Sequence, residues 1–223
     1  MKWVIKITND INILREKIDS IDKEIIKLIL KRMEIVHQVG VTKSKDNSRI
    51  YVPEREIAIY KKLSVLSGIS NKDISNFYTE IISFCRKLEG ILDVAIKKDS
   101  YSLLGVKKLF GEHVNSIFVE SFEDINTDIK YILAPFNKEI LDFIQKKGWS
   151  VINRAHINNE TLYLFSSFEN KIFKDNDIAM ILESTKLSDD FIEINNETFI
   201  SLIPYENIEL FSDSTILGVI PNN

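Results

Sequence analysis

Arg32 interrupts an apolar stripe. Through the first forty residues apolar side chains recur at Leu14, Ile18, Ile21, Ile25 and Leu28, then at Ile35 and Val39. The steps alternate four and three, the pattern of a helix that pairs with another along a narrow seam. Arg32 takes the seam position between Leu28 and Ile35. A guanidinium in such a seam is costly unless something anionic meets it. Lys43 comes eleven residues later, about three turns, so it points the same way. Two cations turned toward an apolar interior suggest a buried anion site. The competing explanations are a structural salt bridge, or an arginine that snorkels out to water.

Other polar side chains share this helical interior. Arg15, Arg32 and Lys43 lie on a first predicted helix, Arg55 and Glu56 on a second, and Cys85 and Glu89 on a third. Arg15 and Arg32 are 17 residues apart, about 25 Å along a helix axis. One small ligand cannot touch both within a single subunit. An antiparallel partner could bring its own Arg15 to this subunit's Arg32, so the spacing asks for a dimer with composite sites. Glu56 could equally be a first-turn residue favoured by the helix dipole. Cys85 sits on an apolar stripe and reads as core, with no nucleophile expected.

The elements that carry these residues are legible in outline. MKWVIKI reads as a short strand, with Asn9 and Asp10 offering caps for the first helix. That helix is predicted from Asp10 to Lys43, too long to bury its seam within a small monomer, so a partner helix is implied. Pro53 sits where helices accept proline, opening a second helix over Glu54 to Leu66. SGIS breaks that helix, and Ser70 with Asp73 caps a third that extends to Gly90. Beyond it the texture changes to alternating strand-like and helical runs, then mostly strands: LDVAI, SLLGVKKLFG, NSIFVES, KYILAPF, KEILDFIQKKGW, SVINRA, TLYLFSS, DIAMILES, DFIEI, TFISLI and TILGVI. This predicts two domains, an all-α domain of three helices over residues 1–92 and a small α/β or α+β domain over 93–223.

Bulk properties narrow the function. Residues 1–92 hold 17 Lys and Arg against 12 Asp and Glu, whereas residues 93–223 hold 12 against 21. A mildly basic first part suits a small anionic ligand. It lacks the clustered Arg and exposed aromatics of a nucleic-acid surface. The single cysteine rules out a disulfide within the chain. The three histidines, His37, His113 and His156, are scattered and suggest no metal site. The opening residues lack a signal-peptide pattern, and no apolar run approaches the length that spans a bilayer, so a cytoplasmic protein is expected.

The first ninety residues resemble the all-helical class of chorismate mutases. The resemblance rests on L-R-x-x-I-D at Leu14–Asp19, K-R at Lys31–Arg32, V-G-x-x-K at Val39–Lys43 and P-E-R-E at Pro53–Glu56. It implies an intertwined dimer that converts chorismate to prephenate by a Claisen rearrangement, with no cofactor. Such an enzyme must hold a dicarboxylate in a compact conformer and stabilise charge growing on the breaking ether oxygen. The resemblance implies that Arg15 from the partner and Arg32 bind the two carboxylates and that Arg55 closes the electrostatic cage. Lys43 would donate to the ether oxygen, and Glu56 would accept from the ring hydroxyl. Cys85 would lie beside a carboxylate and Glu89 beside the ether oxygen. Val52 stands where many relatives carry a polar residue, Cys85 where serine is frequent, and Glu89 where glutamine is frequent.

The second part faintly resembles the first lobe of prephenate dehydratase. The glycine-rich opening is missing, Pro-Ile-Glu-Asn appears as Pro135, Phe136, Asn137 and Lys138, and the Thr-Arg-Phe catalytic motif occurs nowhere. TILGVIP resembles the last strand of an ACT-type regulatory domain. The expectation is a shrunken, non-catalytic relative that is structural or regulatory, with an aromatic amino acid as its effector. The alternatives to a mutase of aromatic amino-acid biosynthesis are two. One is a non-catalytic regulatory partner of a shikimate-pathway enzyme; the other is an isochorismate lyase or aminochorismate mutase on the same fold.

Overall fold

The computed structural model describes residues 11–45, 49–90, 92–168, 177–184, 187–195, 197–211 and 214–222. The strand expected for MKWVIKI lies outside them. The first helix, α1, runs over Ile11–Lys45, α2 over Pro53–Ser67 and α3 over Asn71–Arg86. Pro53 occupies the first turn of α2, and Gly68 ends it in the left-handed conformation that spares a Cβ clash. Ser70 caps α3 by accepting from the Asp73 amide at 3.1 Å. This helix stops short of the expected Gly90. Leu88 N and Glu89 N bond back to the carbonyls of Cys85 and Arg86, tightening the last turn so that residues 87–89 form a turn.

The three helices do not close into a bundle. A small core of Tyr60, Ile74 and Ile82 joins α2 to α3. Near its C-terminal end α1 meets the turn that follows α3, where Gly40 is buried against Leu88 and Glu89. The seam residues Leu14, Ile18, Ile21, Ile25, Leu28 and Ile35 are all exposed, Leu28 at 68%. An apolar stripe of this length in water is the surface a second helix would cover.

The remainder is a mixed α/β arrangement, as its sequence texture predicts. Strands β1 (Asp93–Ile96), β2 (Asn115–Phe118), β3 (Tyr131–Ala134), β4 (Ser150–Ile157), β5 (Glu160–Ser166), β6 (Ile178–Glu183), β7 (Phe191–Asn195), β8 (Thr198–Pro204) and β9 (Thr215–Ile220) form one sheet, ordered β2-β1-β3-β5-β4-β9-β6-β8-β7. Strand β1 pairs parallel with β2 and β3, and β9 parallel with β4; the other pairings are antiparallel. Helix α4 (Ser100–Phe110) leads from β1 to β2, and α5 (Lys138–Lys147) from β3 to β4. Each is capped by a side chain, Asp99 accepting from Ser102 N and Asn137 from Ile140 N. The two helices bury different faces. Ile140, Phe143 and Ile144 of α5 pack with Ala95, Ile132 and Phe165, whereas Val106 and Phe110 of α4 pack with Val94, Ile96, Leu133 and Leu164. Strands covered on both faces read as continuous apolar runs, and all four residues of β3 are buried.

The α4 side of the sheet takes in a residue from the helical part. Tyr51, just ahead of α2, is fully buried in that core, its ring 4.6 Å from Phe110. Its hydroxyl accepts from Asn153 of β4 at 2.8 Å. Gly111, at the end of α4, presses on α3 so closely that an added Cβ would stand 2.6 Å from the Cβ of Ser83. Helices and sheet therefore share a tight seam. Among the described residues no helix is long and apolar enough to cross a membrane.

Candidate active site

Where α1, α2 and the end of α3 converge, a glycine sets the distance. A Cβ on Gly40 would lie 2.7 Å from the Cα of Glu89, so α1 can approach α3 this closely only with glycine at that position. Lys43, one turn further on α1, then reaches across. Its Nζ donates to Glu89 Oε2 at 2.5 Å and to the Ile50 carbonyl at 3.2 Å. An Arg49–Glu54 ion pair pins the connecting segment to the first turn of α2. The carbonyl of Val52 accepts from the amides of Arg55 and Glu56 at 3.1 and 3.2 Å, which starts α2 and fixes where its first side chains stand.

These elements enclose a cleft of about 340 Å³, within the range of small-ligand sites. Arg32, Lys43, Val52, Arg55, Glu56 and Glu89 line it, six of the eight residues singled out in the sequence. Apolar side chains including Val39, Ile59 and Ile82 complete the wall. Arg15 does not join them; it is exposed on α1, about 25 Å along the axis from Arg32. Cys85 is fully buried and lies outside the lining.

Arg86 is the residue that sequence reasoning missed. It also lines the cleft and is 2% exposed. Its guanidinium pairs with Glu56, donates to the Phe110 carbonyl at 3.3 Å and lies 5.2 Å from the centre of the Tyr51 ring. The available signal was its spacing, one turn after Ile82 and three residues before Glu89, a charge on an otherwise apolar stripe.

The charges do not balance. Lys43 is paired with Glu89, and Arg86 with Glu56. Arg32 and Arg55 carry no ion pair among the described residues. Arg32 Nη1 is buried with no hydrogen-bond partner among them. A buried donor without an acceptor is expensive, and a carboxylate would satisfy it bidentately. Burial pushes the Glu56 carboxyl above its usual range; Arg86, and more weakly a bond from Tyr60 at 3.2 Å, oppose that, and Glu89 adds to it. The cleft thus offers two unpaired arginines, a lysine beside a carboxylate, and a buried carboxylate held by an arginine. That set can bind a small dianion and stabilise negative charge developing near Lys43.

Residues 14–90 match the family model described as chorismate mutase type II. The bifunctional chorismate mutase/prephenate dehydratase of Aquifex aeolicus is 38% identical over 44% of this chain and 26% of its own length. That of Buchnera aphidicola subsp. Schizaphis graminum is 29% identical over 91% of this chain and 51% of its own length. That of Neisseria gonorrhoeae is 25% identical over 54% of this chain and 35% of its own. The chain spans between about a quarter and a half of the length of these relatives. Residues 14–90 are a chorismate mutase type II domain, followed by a region that resembles prephenate dehydratase.

Proposed function

We propose that the chain is a chorismate mutase that rearranges chorismate to prephenate for aromatic amino-acid synthesis, with a division near residue 92 and a C-terminal part that carries no second activity. The observation that supports this best is Arg32, whose buried Nη1 has no hydrogen-bond partner among the described residues and which lines one cleft together with Lys43 and Arg55. Arg32 grips one substrate carboxylate, and Arg15 of a second copy grips the other. Arg55 adds positive charge to the cage, Lys43 donates to the ether oxygen, and Glu56 accepts from the ring hydroxyl. The rearrangement passes no proton or electron to the protein. Catalysis is positioning plus charge stabilisation in a site that excludes water. The exposed stripe of α1 is covered by the same stripe of a second copy, which makes the dimer and brings Arg15 into place.

The test is loss of chorismate ultraviolet absorbance with the product identified by mass. Prephenate is expected. Release of pyruvate from isochorismate in a parallel assay would reassign the site to the lyase reaction, and no turnover of either substrate would leave a binding protein. Prephenate added to the chain should yield no phenylpyruvate above the acid-catalysed background, because Thr-Arg-Phe is absent; enzymatic phenylpyruvate would restore a dehydratase. An aromatic amino acid is the proposed effector of the C-terminal part.

Glu89 gives a sharper expectation. Ionised, it competes with the ether oxygen for the Lys43 ammonium and opposes the charge that grows there. Glutamine keeps the shape, removes the charge and gains a donor. Glu89→Gln should therefore hold or raise kcat near neutral pH. A fall of about tenfold or more would mean that the carboxylate is needed to aim Lys43.

A further inference from the structure

Glu56 is held from behind. It lines the candidate active site on one side and a second cleft, of about 650 Å³, on the other. Tyr60 and Thr79 line the second cleft and not the first. Helical periodicity brings these side chains together. Tyr60 follows Glu56 by one turn of α2. Thr79, Ile82 and Arg86 are spaced by three and four residues, so they share one face of α3. The core of Tyr60, Ile74 and Ile82 packs the two helices together. Glu56, Tyr60, Thr79 and Arg86 are all buried, none more than 8% exposed.

The hydrogen bonds in this group run in one direction. The Arg86 guanidinium pairs with Glu56 Oε1, and the Tyr60 hydroxyl reaches Oε2 at 3.2 Å. An ionised carboxylate only accepts, so the phenolic proton points to Glu56. Tyr60 Oη also lies 3.0 Å from Thr79 Oγ1. With its own proton on the Glu56 bond, Tyr60 accepts there and Thr79 donates. The last torsion of a glutamate is soft, and one donor leaves the carboxylate free to turn about it. A donor at each oxygen fixes its plane. Each oxygen keeps a further lone pair for a substrate donor.

We propose that Tyr60 is a positioning residue of the mutase reaction: with Arg86 it fixes the Glu56 carboxylate so that it meets the ring hydroxyl of the substrate. Tyr60 itself touches no reacting atom. The role rests on the mutase reading; the bond to Glu56 does not. The charges around Glu56 give the role a pH signature. Burial raises its carboxyl, Arg86 opposes that most, the Tyr60 bond opposes it further, and Glu89 adds to it. Arg32, Lys43 and Arg55 also line the cleft and stay in place when Tyr60 changes. Loss of the Tyr60 hydroxyl removes one of the causes that hold the Glu56 carboxyl down, so its pKa rises.

Tyr60→Phe removes the donor and keeps the ring in the core between α2 and α3. Steady-state rates of wild type and variant should be measured from about pH 5 to 8 with chorismate, and with a chorismate analogue that lacks the ring hydroxyl. The Glu56 carboxyl should be titrated by carbon NMR without substrate. We expect kcat/KM for chorismate to fall about three- to tenfold, the scale of one hydrogen bond. The analogue should lose nothing, because it offers Glu56 no donor. The acid limb with chorismate should move to higher pH, and the Glu56 titration with it. Thr79→Val, which takes away the donor behind Tyr60, should act in the same direction by less. Partial unfolding of a variant would lower both substrates alike, so the ratio between them separates positioning from folding. Equal losses with both substrates would overturn the proposal. So would full activity of Tyr60→Phe on chorismate, or a Glu56 titration that does not move. Failure of the mutase reading would show elsewhere, as wild type that forms no prephenate; it would remove the role, while the titration would still decide the bond.

Discussion

Arg15→Ala and Arg32→Ala should each lower chorismate turnover by about 10²- to 10³-fold, the usual scale for losing one preorganised charge donor, and a refolded mixture of the two should regain activity. The first half follows from the chemistry of a dicarboxylate, which needs a guanidinium at each end. The second follows from distance. Both arginines stand on α1, about 25 Å apart, and Arg15 is exposed while Arg32 faces the cleft. In a two-fold dimer, each mixed pair contains one site with both arginines and one with neither. Random mixing makes half of the dimers mixed, so about a quarter of all sites should be intact. Activity recovered to that level, measured against each variant refolded alone, would establish the shared site. Two inactive variants whose mixture stays inactive would end it, and so would an Arg15→Ala variant with full activity. Sedimentation of the wild type supplies the independent arm. A monomer at assay concentration that still turns over chorismate would leave Arg15 with nothing to do.

How far the sequence reached depends on how local each signal was. Helix boundaries and strand runs were readable because caps and periodicity are local: Ser70, Asn137, Gly68 and Gly148 stand where the elements start or stop. The cleft was readable because its cations interrupt apolar seams, as Arg32 does between Leu28 and Ile35. Gly40 was visible within V-G-x-x-K, but its reason was not; that depends on the backbone of Glu89, 49 residues away. The order of the nine strands was not readable either, since β9 enters between β4 and β6 from the far end of the chain. Its parallel pairing with β4 depends on Gly218, where a Cβ would lie 2.2 Å from the Val151 carbonyl oxygen.

The largest stability effect should come from Arg86, whose partners tie the first cleft to the sheet. Its guanidinium is buried between Glu56 on one side and the Phe110 carbonyl on the other, against the Tyr51 ring that Asn153 holds from β4. Removing one partner of a buried pair leaves the other charge uncompensated and costs about 3–5 kcal/mol. Arg86→Met should therefore destabilise the chain by that amount near neutral pH, and the loss should depend on pH in a definite direction. Burial already holds the Glu56 carboxyl above its unfolded value of about 4.5, and Arg86 is the main opposing cause. Without Arg86 the carboxyl rises further. Between the unfolded and folded values the native state binds more protons than the unfolded one, so stability falls as pH rises through that window. Below it Glu56 is protonated in both states, and the variant escapes the charge penalty. Urea unfolding at about pH 5 and pH 8 should thus show a larger deficit at the higher pH. Adding Glu56→Gln to Arg86→Met removes the stranded charge and should recover much of the loss. It should not recover turnover if an ionised Glu56 is what accepts the substrate hydroxyl. By the same logic, the acid limb of kcat/KM in Arg86→Met should move to higher pH, a shift that a purely structural role for Arg86 would not produce. A deficit that stays the same from about pH 5 to 8, with an unmoved acid limb, would show that Arg86 packs the seam without governing Glu56.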